Sequence, residues 1–255
     1  KVVCFKVGDD TYTYEHVNKL YEMIARNTSH KFDLVCFTDN KDMKSDTWDV
    51  RYVSPLYHNP ELQNPYVRNA RKYKTLPHRF LSDYDYSVWV DGNAKMTGDV
   101  NELVDEYLQD KNMAVYDKMC CVLDPWNCIY EEARRIFNFG NINIKREPWK
   151  GIKAYKDDPS LMQKAVDKYK KENFPENLGL LSAMVLVRKH NENDVSSVGE
   201  EWWEMIKYYS HLDQMSFNYV AWKQDFQFNW IREDVRDCRH FKNMGVHKVK
   251  GGKIK

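Results

Sequence analysis

At 255 residues, with 39 basic and 38 acidic side chains and a net charge of +1, the chain can bury about three-quarters of its unfolded surface and needs no cross-link to fold. Balanced charge removes any overall pull toward nucleic acid or membrane surfaces, and no apolar run reaches the roughly 18 residues of a membrane-spanning helix. Six cysteines (Cys4, Cys36, Cys120, Cys121, Cys128, Cys238) lack C-x-x-C spacing, which argues against a structural zinc site and for reduced thiols in an intracellular protein. No signal peptide is visible. A cytoplasmic location is expected, with an upstream anchor left open by the start on Lys1.

In chain order, "VVCFKVG" reads as a buried strand ending on Gly8. Val17, Leu20, Tyr21 and Ile24 then have the spacing of a helix face. "FDLVCFTD" is a second buried strand and "DVRYVSP" a third, so β-α-β-β order predicts a mostly parallel sheet with helices on both faces. A loop, "YHNPELQNP", leads to the basic stretch "RNARKYKTLPHRFL", and "YSVWV" is the next strand. Asp99 is placed to cap a helix, with Glu102 completing a capping box. "MAVYD" reads as a strand, "CIYEEARRIF" as a helix, and residues 160–171 as a short helix. "ENLGLLSAMVLVRKH" supplies a further strand. "SVGEEWWEMIKYY" and "DQMSFNYVAWK" supply two helices, the second with Met215, Tyr219 and Trp222 turned inward. Trp202 and Trp203 are adjacent and cannot share one helix face, so one is expected in the core. No repeat or linker is visible, and residues 1–255 read as one domain.

Ligands of an open α/β sheet gather at the carboxyl ends of its strands. Asp83-Tyr84-Asp85 precedes "YSVWV" and lies at the wrong end, as a turn entering the strand. Asp91-Gly92-Asn93 follows it directly. Gly92 lets the backbone bend closely, and Asp91 and Asn93 both offer oxygen to a hard divalent cation. Asp-Gly is equally a standard tight-turn pair.

The segments "RKYKTLPHRFLSDYDYSVWVDGN", "CIYEEA", "GLLSAMVLVRKH", "EEWWEMI" and "DQMSFNYV" together resemble a family of hexosyltransferase-like proteins of the GT-A fold. That family occurs in plants, with mucilage and xylan connections, and in microbes and viruses. It was long filed as a domain of unknown function. A looser similarity is to glycogenin-type transferases. Asp91-Gly92-Asn93, Asn177-Leu178-Gly179 and Asp213-Gln214 match their motifs in order, with Asn93 where a second aspartate would stand.

This resemblance implies a nucleotide-diphosphate sugar donor, UDP-hexose first, and a divalent metal, Mn²⁺ or Mg²⁺, to neutralise the leaving diphosphate. Asp91, Asn93 and a late histidine, His247 or His240, are its implied ligands, and mixed oxygen and imidazole ligation suits manganese. Gly8, Thr38 and Asp39 would clasp base and ribose, though each also serves a simple turn. Arg71 and Lys74 would reach the nucleotide or its phosphates, with a solvated helix face as the other reading. Lys248, beside His247, would reach the phosphates, or belong to a solvated terminus. Asn177 and Gly179 would line the sugar pocket. Asp213 would stand near the sugar C1 as a general base or an electrostatic stabiliser, with Gln214 beside it, or else serve as an ordinary helix start. The glycogenin likeness favours retention of configuration. Glu131 and Glu132 would face the acceptor or solvent, and His78 and His211 are assigned structural roles. The acceptor is expected to be a glycan or glycoconjugate, with modified DNA open. The rival function is a non-catalytic nucleotide-sugar or carbohydrate binder on the same fold. A nucleotidyltransferase or phosphohydrolase would need more clustered carboxylates.

Overall fold

The computed structural model describes residues 2–7, 14–28, 32–54, 65–91, 94–139 and 157–243. Gly8, Gly92, Asn93, His247 and Lys248 lie outside the described residues. The first strands are β1 (Val2–Val7), β2 (Asp33–Thr38), β3 (Asp49–Tyr52), β4 (Ser87–Val90) and the short β5 (Ala94–Met96). They are followed by β6 (Met113–Asp117), β7 (Leu181–Arg188), β8 (Asn229–Ile231) and β9 (Phe241–Asn243). Among the described residues, seven of these form one sheet in the order β3-β2-β1-β4-β7-β6-β8. β7 alone runs against its neighbours, pairing antiparallel with β4 and β6, while β1–β2, β1–β4, β2–β3 and β6–β8 are parallel. The expected mostly parallel α/β sheet is therefore present.

Side-chain alternation sends β2, β4, β6 and β7 into two cores. In β2, Leu34 and Cys36 face one core and Val35 and Phe37 the other; in β4, Val88 and Val90 oppose Trp89; in β7, Val185 and Val187 oppose Leu186. Helices α1 (Tyr14–Asn27) and α3 (Val100–Tyr107) close the first face through Leu20, Ile24, Val100, Leu103 and Val104. Helices α2 (Pro65–Thr75), α4 (Ile129–Phe139), α5 (Pro159–Lys171), α6 (Asn193–Tyr208) and α7 (Phe217–Lys223) close the second. The two-sided covering is why the strands read as continuous apolar runs.

Three local expectations change. Asp99 does cap α3, accepting from the Asn101 amide at 2.9 Å, but Glu102 closes no capping box. Its carboxylate turns to His240 Nε2 at 3.1 Å and to Arg239. Trp202 and Trp203 are both buried, because α6 packs against α2 and α7 together. Asp213–Met215 forms a separate 3-10 turn ahead of α7, and Trp222 is 36% exposed while Met215 and Tyr219 are fully buried.

Candidate functional site

The carboxyl ends of β2, β4 and β6 and the amino end of the reversed β7 share one edge of the sheet. Helix α2 packs its last turn against the sheet, and the Lys74 side chain runs from it to this edge, meeting Asp91 just past the end of β4. Two contacts hold the turn there: the buried Arg188 guanidinium of β7 donates to the Lys74 carbonyl at 2.6 Å, and Gly199 of α6 lies so close to the Thr75 carbonyl that a Cβ would sit 2.5 Å from its oxygen.

This pinned turn carries a four-membered charge cluster. The Lys74 ammonium, with no exposed surface, lies 2.7 Å from Asp213 Oδ2 and 3.1 Å from Asp91 Oδ1. Arg71 Nε lies 2.5 Å from Asp213 Oδ1. The Trp89 indole N–H donates to Asp91 Oδ1 at 2.7 Å, and the Lys74 ammonium sits 5.4 Å from the Trp89 ring centre. Burial works to raise the Asp213 pKa, but the Arg71 guanidinium and Lys74 ammonium outweigh it and hold the carboxyl below its usual range. Asp213 is only 2% exposed. Arg71 and Lys74 do not form a solvated helix face; Asp213 does begin a 3-10 turn, and its carboxylate is at the same time held by both cations.

Asp91 continues the β4 ladder, its amide donating to the Met184 carbonyl at 2.8 Å, and its own carbonyl then accepts from Ala94 at 3.0 Å to close a tight turn. Beyond it, β5 pairs antiparallel with β9, Ala94 opposite Asn243 and Met96 opposite Phe241. Strand β9 is thereby fastened beside the Asp91 turn. His240 is buried and committed elsewhere. Its carbonyl accepts from the amides of Thr97 and Gly98, and its ring faces Glu102.

The turn into β7 lies at the same edge, and the first turn of α4 meets the segment that carries Asp213. Asn177 and Gly179 take left-handed backbone angles, φ 59° and 92°. A Cβ on Gly179 would lie 2.7 Å from the Trp230 ring, so only glycine fits between that indole and the turn. Gln214 donates to Glu132 Oε1 at 2.9 Å, and the Trp126 indole donates to Glu132 Oε2. Glu132 is thus a buried residue that fixes Gln214, whereas Glu131 stays near the surface against Arg135. Thr38 is buried and its Oγ1 accepts from the Asn40 amide at 3.1 Å. Asp39 is half-buried and near enough to Tyr73 of α2 that, after burial itself, its charge helps raise the Tyr73 pKa.

Sequence reasoning missed two supports. One is Trp89, named only as part of a strand. The other is a buried network behind Asp213: Asp157 binds His211 Nδ1 at 2.7 Å and accepts from Ser210 Oγ and the His211 amide, both at 2.7 Å, with Arg68 at 3.6 Å. It anchors the segment entering Asp213 to α2. His78, paired with Glu200 at 2.8 Å, is likewise structural. Among the described residues no group of three or more His, Cys, Asp or Glu side chains converges as a metal site, and no helix is long and apolar enough to cross a membrane.

Solved structures with a similar chain course include the bifunctional glycosyltransferase WbbM in apo form, at 16% identity and TM-score 0.48, covering 86% of this chain and 36% of that one. Mouse xyloside xylosyltransferase 1 is 9% identical at TM-score 0.48, covering 90% and 84%. The galactosyltransferase LgtC, bound to donor and acceptor sugar analogues, is 13% identical at TM-score 0.47, covering 90% and 73%. No curated protein matches the chain by sequence. The profile of one family matches residues 13–248, nearly the whole length, and the chain accordingly belongs to the family described as TOD1/MUCI70, glycosyltransferase-like domain.

Proposed function

We propose that the protein transfers a hexose from a nucleotide-diphosphate sugar, UDP-hexose first, to a glycan or glycoconjugate, with a divalent cation at the Asp91 turn. One observation supports this above the others. A buried ammonium and a guanidinium converge with two carboxylates at the ligand-binding edge of the sheet. Such fixed charge suits a reaction whose difficult step is charge developing on a departing diphosphate.

The donor set fits a hard cation. Asp91 Oδ1 is taken by Trp89 and Lys74, but among the described residues Oδ2 makes no hydrogen bond, and the side chain is 25% exposed. Asn93 is two residues on, and His247 is four residues beyond Asn243, the partner of Ala94. With His240 committed to Glu102, His247 is the better third ligand. Mn²⁺ or Mg²⁺ held there would supply Lewis-acid neutralisation of the diphosphate. Lys74 and Arg71 hold Asp213 ionised and fixed. Lys248 follows His247 and would add charge to the phosphates, while Gly8, Thr38 and Asp39 would meet base and ribose.

Asp213 fits poorly as a general base, because such a base works best with a pKa near the operating pH, and this carboxyl is held low. Its role is then electrostatic, facing an oxocarbenium-like sugar. Gln214, fixed by Glu132, is the adjacent polar group toward C1. That arrangement favours retention over inversion. Asn177 and Gly179 would line the sugar.

The test is a donor screen. Incubated with Mn²⁺ and each common nucleotide sugar, the protein is expected to release nucleoside diphosphate slowly from one donor, UDP-linked. Neither hydrolysis nor metal-dependent donor binding with any donor would end the transferase reading. Donor binding without any turnover would favour the rival, a nucleotide-sugar binder.

A further inference from the structure

Between α4 and α5 a cavity of about 500 Å³ opens. That is within the size range of small-molecule sites, roughly 300–1,000 Å³. It exists because the helices meet over small side chains: Ala133 and Val166, both buried, form its floor. Along α4 the lining repeats at Tyr130, Ala133 and Phe137, and along α5 at Gln163, Val166 and Lys170, so the cavity is a groove that follows the helix axes.

One end of the groove lies toward the sheet edge that carries the charge cluster, where β7 begins. It is lined there by Asn177, on the turn that Gly179 joins to β7, and by Cys128, which precedes the first turn of α4. That same first turn carries Glu132, which holds Gln214 at 2.9 Å. The groove and the candidate transfer site therefore share a helix terminus and a turn.

The lining chemistry selects the occupant. Its charges cancel, with Glu131 and Glu176 against Arg134 and Lys170. Glu131 is already engaged by Arg134 at 3.5 Å and Arg135 at 3.0 Å. Two aromatic rings, Tyr130 and Phe137, are half-buried at its wall, and the Tyr130 hydroxyl is tied to the Phe174 carbonyl at 2.8 Å. A wall with two rings, one of them tied, and a paired carboxylate and guanidinium suits the mixed apolar faces and hydroxyl edges of a sugar chain. It offers no surplus charge to an anion and too little apolar surface for a lipid tail.

We infer that the α4–α5 groove is an acceptor site for a neutral oligosaccharide, running outward from Asn177. Its assignment as an acceptor site rests on the transferase reading above; its capacity to bind a neutral glycan does not.

The experiment uses the whole chain and three neutral probes, cellohexaose, xylohexaose and maltohexaose, with an oligogalacturonate as the anionic comparison. Binding is followed by saturation-transfer NMR and calorimetry in the wild type and in Gln163→Trp, which places a bulky ring in the groove from an exposed position. At least one neutral chain is expected to bind, and the substitution to weaken it roughly tenfold or more, with an unchanged thermal transition. Lys170→Trp serves as a second obstruction should Gln163→Trp fold poorly. Equal binding by both variants, preference for the anionic chain, or no neutral chain binding the wild type would each overturn the groove. Donor hydrolysis by the wild type is read in parallel. Its absence alongside glycan binding would fault the transferase reading and leave the binding groove standing.

Discussion

Lys74 is where the account is most exposed to test. Its ammonium is wholly buried between Asp213 and Asp91, so Lys74→Met leaves the deeply buried Asp213 with Arg71 alone and Asp91 with the Trp89 indole. Losing one partner of a buried charge pair costs about 3–5 kcal/mol, which urea unfolding of the variant should show. Loss of a preorganised charge at a reacting centre lowers turnover by roughly 100-fold to 1,000-fold, and donor hydrolysis should fall by that order. Lys74→Arg should recover stability better than turnover, because a planar fork cannot reproduce a point charge shared by two carboxylates. Asp213 gives the matching pH prediction. Its folded pKa lies below the ordinary value of about 4. Its stabilisation is therefore full above about pH 4 and is lost as pH falls through the lower folded value. Urea midpoints measured from neutral to strongly acidic pH should drop for the wild type, with a shallower acid limb for Asp213→Asn.

Individual elements carry their own constraints. The turn into β7 depends on Gly179, where left-handed backbone and the Trp230 ring both exclude a side chain. Gly179→Ala should cost about 1–3 kcal/mol. Trp230→Ala in the same chain should relieve the clash and leave the backbone strain, so a double-mutant cycle is expected to show coupling. The loop before β4 is tied to the end of β7 by the buried His190, whose Nε2 lies 2.7 Å from the Leu81 carbonyl. Burial, ahead of any other cause, depresses its pKa to about 4. The imidazole is kept neutral, so the stability it supports is complete above about pH 6.5 and is lost as pH falls from there toward about 4. That loss should reach about 2–3 kcal/mol, and His190→Gln should not show it. Elements were largely legible because alternation and helical spacing are local properties. Where expectation failed, a distant partner decided. Trp203 is buried because α6 has helices on two sides, Glu102 turns to a histidine 138 residues away, and Glu132 looks like a surface carboxylate until Gln214, 82 positions on, reaches it.

At the scale of the whole molecule, the mostly parallel sheet gathers β4, β7, the Asp213 turn and the Lys74 side chain of α2 at one edge, so that residues 17 and 139 positions from Lys74 meet at its ammonium. Motif order in the sequence pointed to Asp91, Asn177 and Asp213 as a set, yet no spacing rule could show that a lysine between two carboxylates would join them. The β5–β9 ribbon performs the same service for β9, fixing Asn243 opposite Ala94 and so near the Asp91 turn. In the function proposed above, this edge would hold the diphosphate of a nucleotide sugar through Asp91 and the cationic cluster. Calorimetric titration of UDP with and without Mn²⁺, in the wild type and in Asp91→Asn, tests it most directly. Binding that Mn²⁺ tightens roughly tenfold or more is expected in the wild type, with the gain largely missing in the variant. UDP that fails to bind, or that binds both proteins equally with or without the metal, would contradict that function.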